Sequence, residues 1–329
     1  MQPVPITIKD RSGFALLLTL LIISLLMVLT LQFNSAMWSG LYASANLRDG
    51  IRLGCVARSG INCALAVLSE DASSSSSDTL QETWAQTKKL SMHSAELFEN
   101  AVFQMEITDL SGKIQINRLV TKDGQYDETQ KALLTRFLSL EPFQLDGEAV
   151  GNLVDAVKDW IDPDDEGTRF GAENAYYQSL EEPYACGNGP MDSLDQLRLV
   201  KGMTPALFDG KDGRPGISSH LTVHGDGRIN INTAGPLVLQ ALSDDMDEDM
   251  ARDMMAYRLD EKNELTDPGW YRNIPGMGHV QIDSALIKTS SDIFEIQSTG
   301  VADAMRKQVN AIVKRGDGSS TQVMAWKAE

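Results

Sequence analysis

The hydrophobic pattern sets the first part of the chain apart from the rest. No charged residue occurs from Ser12 to Leu47, and residues 14–31 read FALLLTLLIISLLMVLTL. A helix of about 20 mostly apolar residues crosses the hydrocarbon core of a bilayer, so this segment predicts a membrane anchor. Lys9 and Arg11 precede it. By the positive-inside rule they keep the N-terminus in the cytoplasm, which places the rest of the chain on the other side.

Helical periodicity continues beyond the apolar run. The apolar positions that recur near helical spacing are Leu41, Ala45, Leu53, Val56, Ile61, Leu65 and Leu68. This pattern is typical of a half-buried surface helix, so we expect one long helix with a membrane half at 14–33 and a second half at 34–72. The alternative is a secretory signal cleaved near residues 34–36, where small residues follow the apolar run. The length of the run and the unbroken periodicity favour the anchor.

Alternating apolar and polar residues predict short strands at both ends of the remaining chain. After a five-serine tract at 73–77, residues 102–107 and 114–117 predict a β-hairpin, and strands are expected again at 293–299, 308–314 and 322–326. The part between them has amphipathic helical character. Helices are predicted there at 128–138, 148–160, 236–243 and 247–259, with short strands at 220–224 and 228–231.

These elements predict an α+β fold in which a long N-terminal helix precedes a small antiparallel sheet. The sheet is expected at 73–120 and 291–329, and a large inserted, mainly α-helical domain at 121–290 interrupts it. The chain has a net charge of −17, which disfavours nucleic acid as a partner. Two segments, 200–204 and 231–234, are similar to DNA-binding helix-hairpin-helix modules, but the residues after the second are acidic instead of basic.

One stretch of the insertion is strongly acidic. Between Asp155 and Asp192 there are ten acidic residues and two basic ones. Clustered carboxylates supply the hard oxygen ligands that calcium prefers, and Asp162, Asp164 and Glu166 alternate as in a calcium-binding loop. Composition alone also allows a solvated acidic loop. A pair of catalytic carboxylates is a further alternative, although it would need a cleft and separated pKa values.

The N-terminal residues Arg11-Ser12-Gly13-Phe14, ahead of the long helix, resemble the type IV pilin and pseudopilin superfamily. The resemblance implies that residues 1–13 are a cytoplasmic leader, which a prepilin peptidase removes by cutting between Gly13 and Phe14, and that Phe14 becomes methylated. Most members have a glutamate as the fifth residue of the mature chain, where this chain has Leu18. A carboxylate in the membrane is costly and is usually kept for a partner, so its absence suits a subunit at a filament end.

The insertion resembles the K-type minor pseudopilins of type II secretion, which also lack that glutamate. The segments that carry this likeness are 159–166, 171–177, 188–190, 194–203 and 229–234. Members of this family bind calcium in the helical domain. The resemblance therefore implies a calcium cofactor, for which we expect as ligands Asp162, Asp164, Glu166, Glu173 and Asp192.

The resemblance implies a structural protein without enzymatic activity. It would sit in the bacterial inner membrane with a single pass and its C-terminal domain in the periplasm, at the tip of the pseudopilus. There it would start or cap assembly for protein export across the outer membrane. Expected partners are the I and J type pseudopilins through the N-terminal helices, the prepilin peptidase and secreted cargo. The alternatives are a membrane-tethered periplasmic calcium-dependent enzyme and a minor pilin of a type IV pilus.

Overall fold

A computed structural model describes residues 12–316 and 320–328. The predicted leader at 1–13 therefore lies mostly outside the described residues, as do Lys9 and Arg11. The helices are α1 (Ser12–Ser74), α2 (Thr87–His93), α3 (Glu128–Leu138), α4 (Gly147–Ile161), α5 (Asn174–Tyr177), α6 (Pro205–Asp209), α7 (Pro236–Ala241) and α8 (Glu248–Tyr257). The strands are β1 (Val102–Asp109), β2 (Ile114–Gln115), β3 (Gly210–Lys211), β4 (Arg214–Pro215), β5 (Leu221–Thr222), β6 (Ile229–Asn230), β7 (Ile287–Lys288), β8 (Ile293–Ala302), β9 (Met305–Arg315) and β10 (Thr321–Ala328).

The predicted long helix is confirmed, and α1 has two different halves. Its first half is exposed, and an 18-residue window of the helix has a mean hydropathy of 2.9, so α1 is long and apolar enough to cross a membrane. The second half buries a stripe at helical spacing, made of Leu53, Val56, Ala57, Ile61, Ala64 and Leu68. That stripe packs on the sheet at very close range. A Cβ atom at Gly300 of β8 would collide with the carbonyl oxygen of Leu53, so only glycine allows this approach.

The main sheet has four strands in the order β1-β8-β9-β10, and every pair in it is antiparallel. The hairpin predicted from residues 102–107 and 114–117 is wrong. β1 pairs with β8 from Val102↔Val301 to Asp109↔Phe294, while β2 pairs in parallel with β5. The chain turns away because the Asp109 side chain accepts a hydrogen bond from the amide of Ser111 and starts a single helical turn.

Two separate hydrophobic cores follow from this topology. The first lies between α1 and the sheet and includes Trp84, Phe103 and Phe294. The second fills the insertion and extends from Ile114 to Ile287, so it begins before the predicted border at residue 121. Within it, the helices predicted at 128–138 and 148–160 are confirmed as α3 and α4. The side chain of Asp146 caps the start of α4 by accepting a hydrogen bond from the amide of Ala149.

A buried polar network, which we call the junction, joins the two cores where the chain leaves and re-enters the sheet. It consists of Asp78, Asp109, Asn230, Ser291 and Arg315. The Arg315 guanidinium donates to an Asp78 oxygen at 2.6 Å, and that carboxylate accepts the Ser291 amide at 2.6 Å. One oxygen of Asp109 accepts from the Ser291 hydroxyl at 2.5 Å and from the Asn230 amide at 3.2 Å. Asp78 is therefore paired with a cation, and Asp109 is held by neutral hydrogen-bond donors.

The junction predicts a large effect on stability. Arg315→Met, in the full chain in detergent, should lower the free energy of unfolding by about 3–5 kcal/mol, because it leaves Asp78 buried without its cation. The matched control is Arg252→Met, whose pairs with Glu248 and Asp249 are exposed to water and should contribute little to stability. Urea unfolding followed by tryptophan fluorescence measures both. Equal losses in the two variants would contradict a structural role for the junction.

Candidate metal centre

The end of α4 carries acidic residues on one face of the helix. Asp159 and Asp162 are three residues apart, which places them on neighbouring positions of the helix surface. Asp162 is the residue at which the helix ends, and its amide donates to the carbonyl of Lys158. The intervening Trp160 points into the core of the insertion, where its ring meets that of Tyr177 edge-on with 5.1 Å between centroids. Packing of the apolar face thus fixes the direction of the acidic face.

The loop after α4 folds back and adds a third carboxylate. The Thr168 amide donates to both oxygens of Asp159, at 3.1 and 3.0 Å. A side chain at position 171 would collide with the Asp159 carboxylate, so Gly171 allows the loop to pass. Glu173, just before α5, then reaches Asp159 and Asp162, and one oxygen of each of the three lies within 4.8 Å of the others. We call these three residues the carboxylate cluster.

The cluster is buried, and its charge is poorly compensated. Asp159 and Asp162 are 0% exposed and Glu173 is 8% exposed. Burial raises the pKa of all three; for Glu173, burial and the charges of Asp159, Asp162 and Asp165 raise the pKa to about 7. Among the described residues, Asp162 Oδ1 and both oxygens of Glu173 have no hydrogen-bond partner. Unpaired buried carboxylate oxygens are costly, so the arrangement calls for a cation.

The donor set indicates which cation fits. All side-chain donors in the cluster are carboxylate oxygens, the ligands that hard cations such as calcium prefer. Zinc in structural sites favours sulfur and imidazole nitrogen instead. Carbonyl groups of the loop and water would have to complete the six to eight oxygen ligands that calcium takes. The carboxylate oxygens without a hydrogen-bond partner, in a site whose side-chain donors are all oxygen, therefore fit calcium.

The other residues expected as ligands lie in different places. Asp164 and Glu166 are exposed on the loop beside the cluster, and Asp164 Oδ1 accepts a hydrogen bond from the Glu166 amide at 2.8 Å. Asp192 lies elsewhere and lines a cleft of about 460 Å³ together with Lys113 and His224. Asp159 was not among the expected ligands. Its spacing from Asp162 at the end of a predicted helix was the signal that would have found it.

The anchor residues singled out in the sequence lie on one continuous helix. Gly13, Phe14 and Leu18 all belong to α1, and the Leu18 side chain is 47% exposed. α1 continues without a break through residues 34–36, the region considered for signal cleavage. The first half of α1 thus offers an apolar surface to lipid or to neighbouring helices.

Comparisons with known proteins agree on one family. Two family models, each described as type II secretion system (T2SS), protein K, match residues 112–210 and 229–274. A type II secretion system protein K from Aeromonas hydrophila is 26% identical over 340 residues, covering 94% of both chains. The protein of the same name from Klebsiella pneumoniae is 28% identical over 207 residues, covering 60% of both.

The fold also matches a solved structure. It is described as the GspK-GspI-GspJ complex from the enterotoxigenic Escherichia coli type 2 secretion system. The TM-score is 0.69 with 16% sequence identity, over 87% of this chain and 99% of the other. The likeness confirms the predicted α+β architecture with a long N-terminal helix, a small sheet and a helical insertion.

The raised pKa of Glu173 predicts a pH dependence in the metal-free protein. Its folded-state pKa of about 7 exceeds the ordinary value of 4.5. Between these two pH values Glu173 is protonated in the folded protein and ionised in the unfolded chain. Stability should therefore fall as pH rises from about 5 to about 8. Glu173→Gln should reduce this fall, whereas exposed Glu248→Gln should not. Urea unfolding in a chelator at several pH values tests this; an unchanged fall in Glu173→Gln would contradict the assignment.

Proposed function

We propose that the chain is a minor pseudopilin of the type II secretion system protein K family and that it occupies the tip of the pseudopilus. There it starts or caps the filament for protein export across the outer membrane. The observation that carries this proposal is the bulky insertion on a pilin-like body, which has its own core between Ile114 and Ile287. This insertion, which we call the head, is large enough to hinder the stacking of a further subunit above the sheet.

The first half of α1 supplies the anchor in this proposal. It crosses the bacterial inner membrane once, with the N-terminus in the cytoplasm and the sheet and head in the periplasm. Prepilin peptidase cuts between Gly13 and Phe14, and Phe14 is then methylated. The exposed apolar surface of the first half of α1 supports its role as the anchor, because such a surface is stable only in lipid or against another helix.

The partners follow from the same surface and from the solved complex. That complex contains GspI and GspJ beside its protein K homologue. We propose that the I and J type pseudopilins contact this chain through the N-terminal helices, while the head meets secreted cargo. Leu18 belongs to this interface. An apolar residue at this depth needs no partner charge, whereas a carboxylate would need one.

Calcium has a structural role in this proposal. Asp159, Asp162 and Glu173 would hold the ion, and Asp164 and Glu166 are close enough in sequence to assist from the loop. The ion supplies positive charge that offsets three buried carboxylates, and thereby fixes the loop at 162–173 against α4. The cluster is no more than 8% exposed at any member, which leaves little access for a substrate. We therefore propose assembly without catalysis.

The tip position predicts an effect of a charge at position 18. If the missing carboxylate restricts this subunit to the filament end, Leu18→Glu should let it enter the body of the filament, because the new charge can pair with a neighbouring N-terminal amine. Immunogold labelling of sheared pseudopili measures the position, with Leu18→Gln as an uncharged control. Labelling confined to filament ends in both variants would show that the head alone dictates position.

The calcium proposal predicts different effects for clustered and outlying carboxylates. Asp162→Asn and Glu173→Gln should each weaken calcium binding by about tenfold or more, because each removes a charged ligand. Asp192→Asn, which removes a charge of the same acidic stretch outside the cluster, should leave the affinity nearly unchanged. Calorimetric titration of the full chain in detergent measures all three. Equal weakening by Asp192→Asn would contradict the assignment.

A further inference from the structure

Lys158 lies inside the carboxylate cluster. Its ammonium forms a close ion pair with Asp162 Oδ2 and lies 3.8 Å from Asp159 Oδ1. The Lys158 side chain is only 9% exposed. A lysine in the last turn of a helix usually extends its ammonium group into water, so the buried position of Lys158 is unusual.

The ammonium compensates the cluster only in part. It brings one positive charge to three carboxylates, and it leaves Asp162 Oδ1 and both Glu173 oxygens without a partner among the described residues. An ammonium has three donors, whereas calcium carries two charges and takes six to eight oxygen ligands. Lys158 thus pairs with Asp162 Oδ2 and lies near Asp159, and it leaves Asp162 Oδ1 and both Glu173 oxygens open.

Lys158 and an ion in the cluster would both contact the carboxylates of Asp159 and Asp162. An ion bound to Asp159 and Asp162 would lie about 2.3–2.6 Å from their oxygens, and therefore close to the ammonium that pairs with the same two side chains. Two cations at contact distance repel strongly in a buried site. The Lys158 ammonium lies 5.8 Å from the centroid of the Tyr126 ring, and the flexible four-carbon stem of lysine permits the ammonium to move away from the carboxylates.

We propose that Lys158 is an internal counter-ion that holds the cluster together without calcium and is displaced when calcium binds. This inference rests on the calcium binding proposed above. The lysine keeps the loop at 162–173 folded before the metal arrives and lowers the affinity for the metal. Calcium binding then includes a movement of the Lys158 side chain. The insertion therefore has two folded states, one held by Lys158 and one held by calcium.

Lys158→Met tests the proposal through two measurements on the full chain in detergent. Calorimetric titration should show calcium binding that is on the order of tenfold to a hundredfold tighter than in the parent protein, because a competing unit charge is gone. Urea unfolding in a chelator should show a lower midpoint, because three buried carboxylates then have no cation. The matched control is Lys211→Met, an exposed lysine of β3, which should change neither result.

Each outcome decides between the proposals. Equal calcium affinity in Lys158→Met and the parent would overturn the competition while leaving the calcium site in place. Absence of calcium binding in both proteins would overturn the calcium site and this inference together. If Lys158→Met does not fold in a chelator, Lys158→Gln, which keeps a donor toward Asp162 without the charge, replaces it. Its calcium affinity should also rise, and an unchanged value would overturn the competition.

Discussion

The pairing of Asp78 with Arg315, beside the buried Asp109, is the interaction on which the arrangement of the whole molecule depends. β1 ends at Asp109, and Ser291 precedes β8, the strand that pairs with β1. The insertion therefore leaves and returns at one place. Burial raises the pKa of Asp109 above its ordinary value, and hydrogen bonds from Ser291 and Thr233 offset only part of that rise. Because Arg315 also binds Asp71 near the end of α1, the orientation of the head relative to the anchor helix is fixed.

The same head holds a local imbalance of charge. The apolar face of α4 is packed into the core, so the helix must present its acidic face to the returning loop. Gly171 allows that loop to approach closely enough for Glu173 to join Asp159 and Asp162. Packing energy thus holds together like charges that would otherwise separate. A cation would offset this repulsion: Lys158 supplies an internal one, and the proposed calcium ion would be a second.

Periodic patterns predicted the parts of the fold that depend on local sequence. The apolar run and the helical spacing from Leu41 to Leu68 gave α1, and amphipathic spacing gave α3 and α4. Pairing was not predictable in this way, because alternation identifies β1 as a strand but its partner β8 lies beyond the whole insertion. For the site, residue type suggested Asp162 and Glu173. Asp192 lies away from the carboxylate cluster because tertiary packing sets the path of the loop that carries it. No local sequence pattern encodes that path.

The most direct test of the account is a crystal structure of the calcium-saturated protein, with anomalous scattering used to identify the ion. We predict a calcium peak bounded by oxygens of Asp159, Asp162 and Glu173 at about 2.3–2.6 Å, with the Lys158 ammonium moved away from Asp162. A cluster without a calcium peak, with Lys158 still paired to Asp162, would contradict the account.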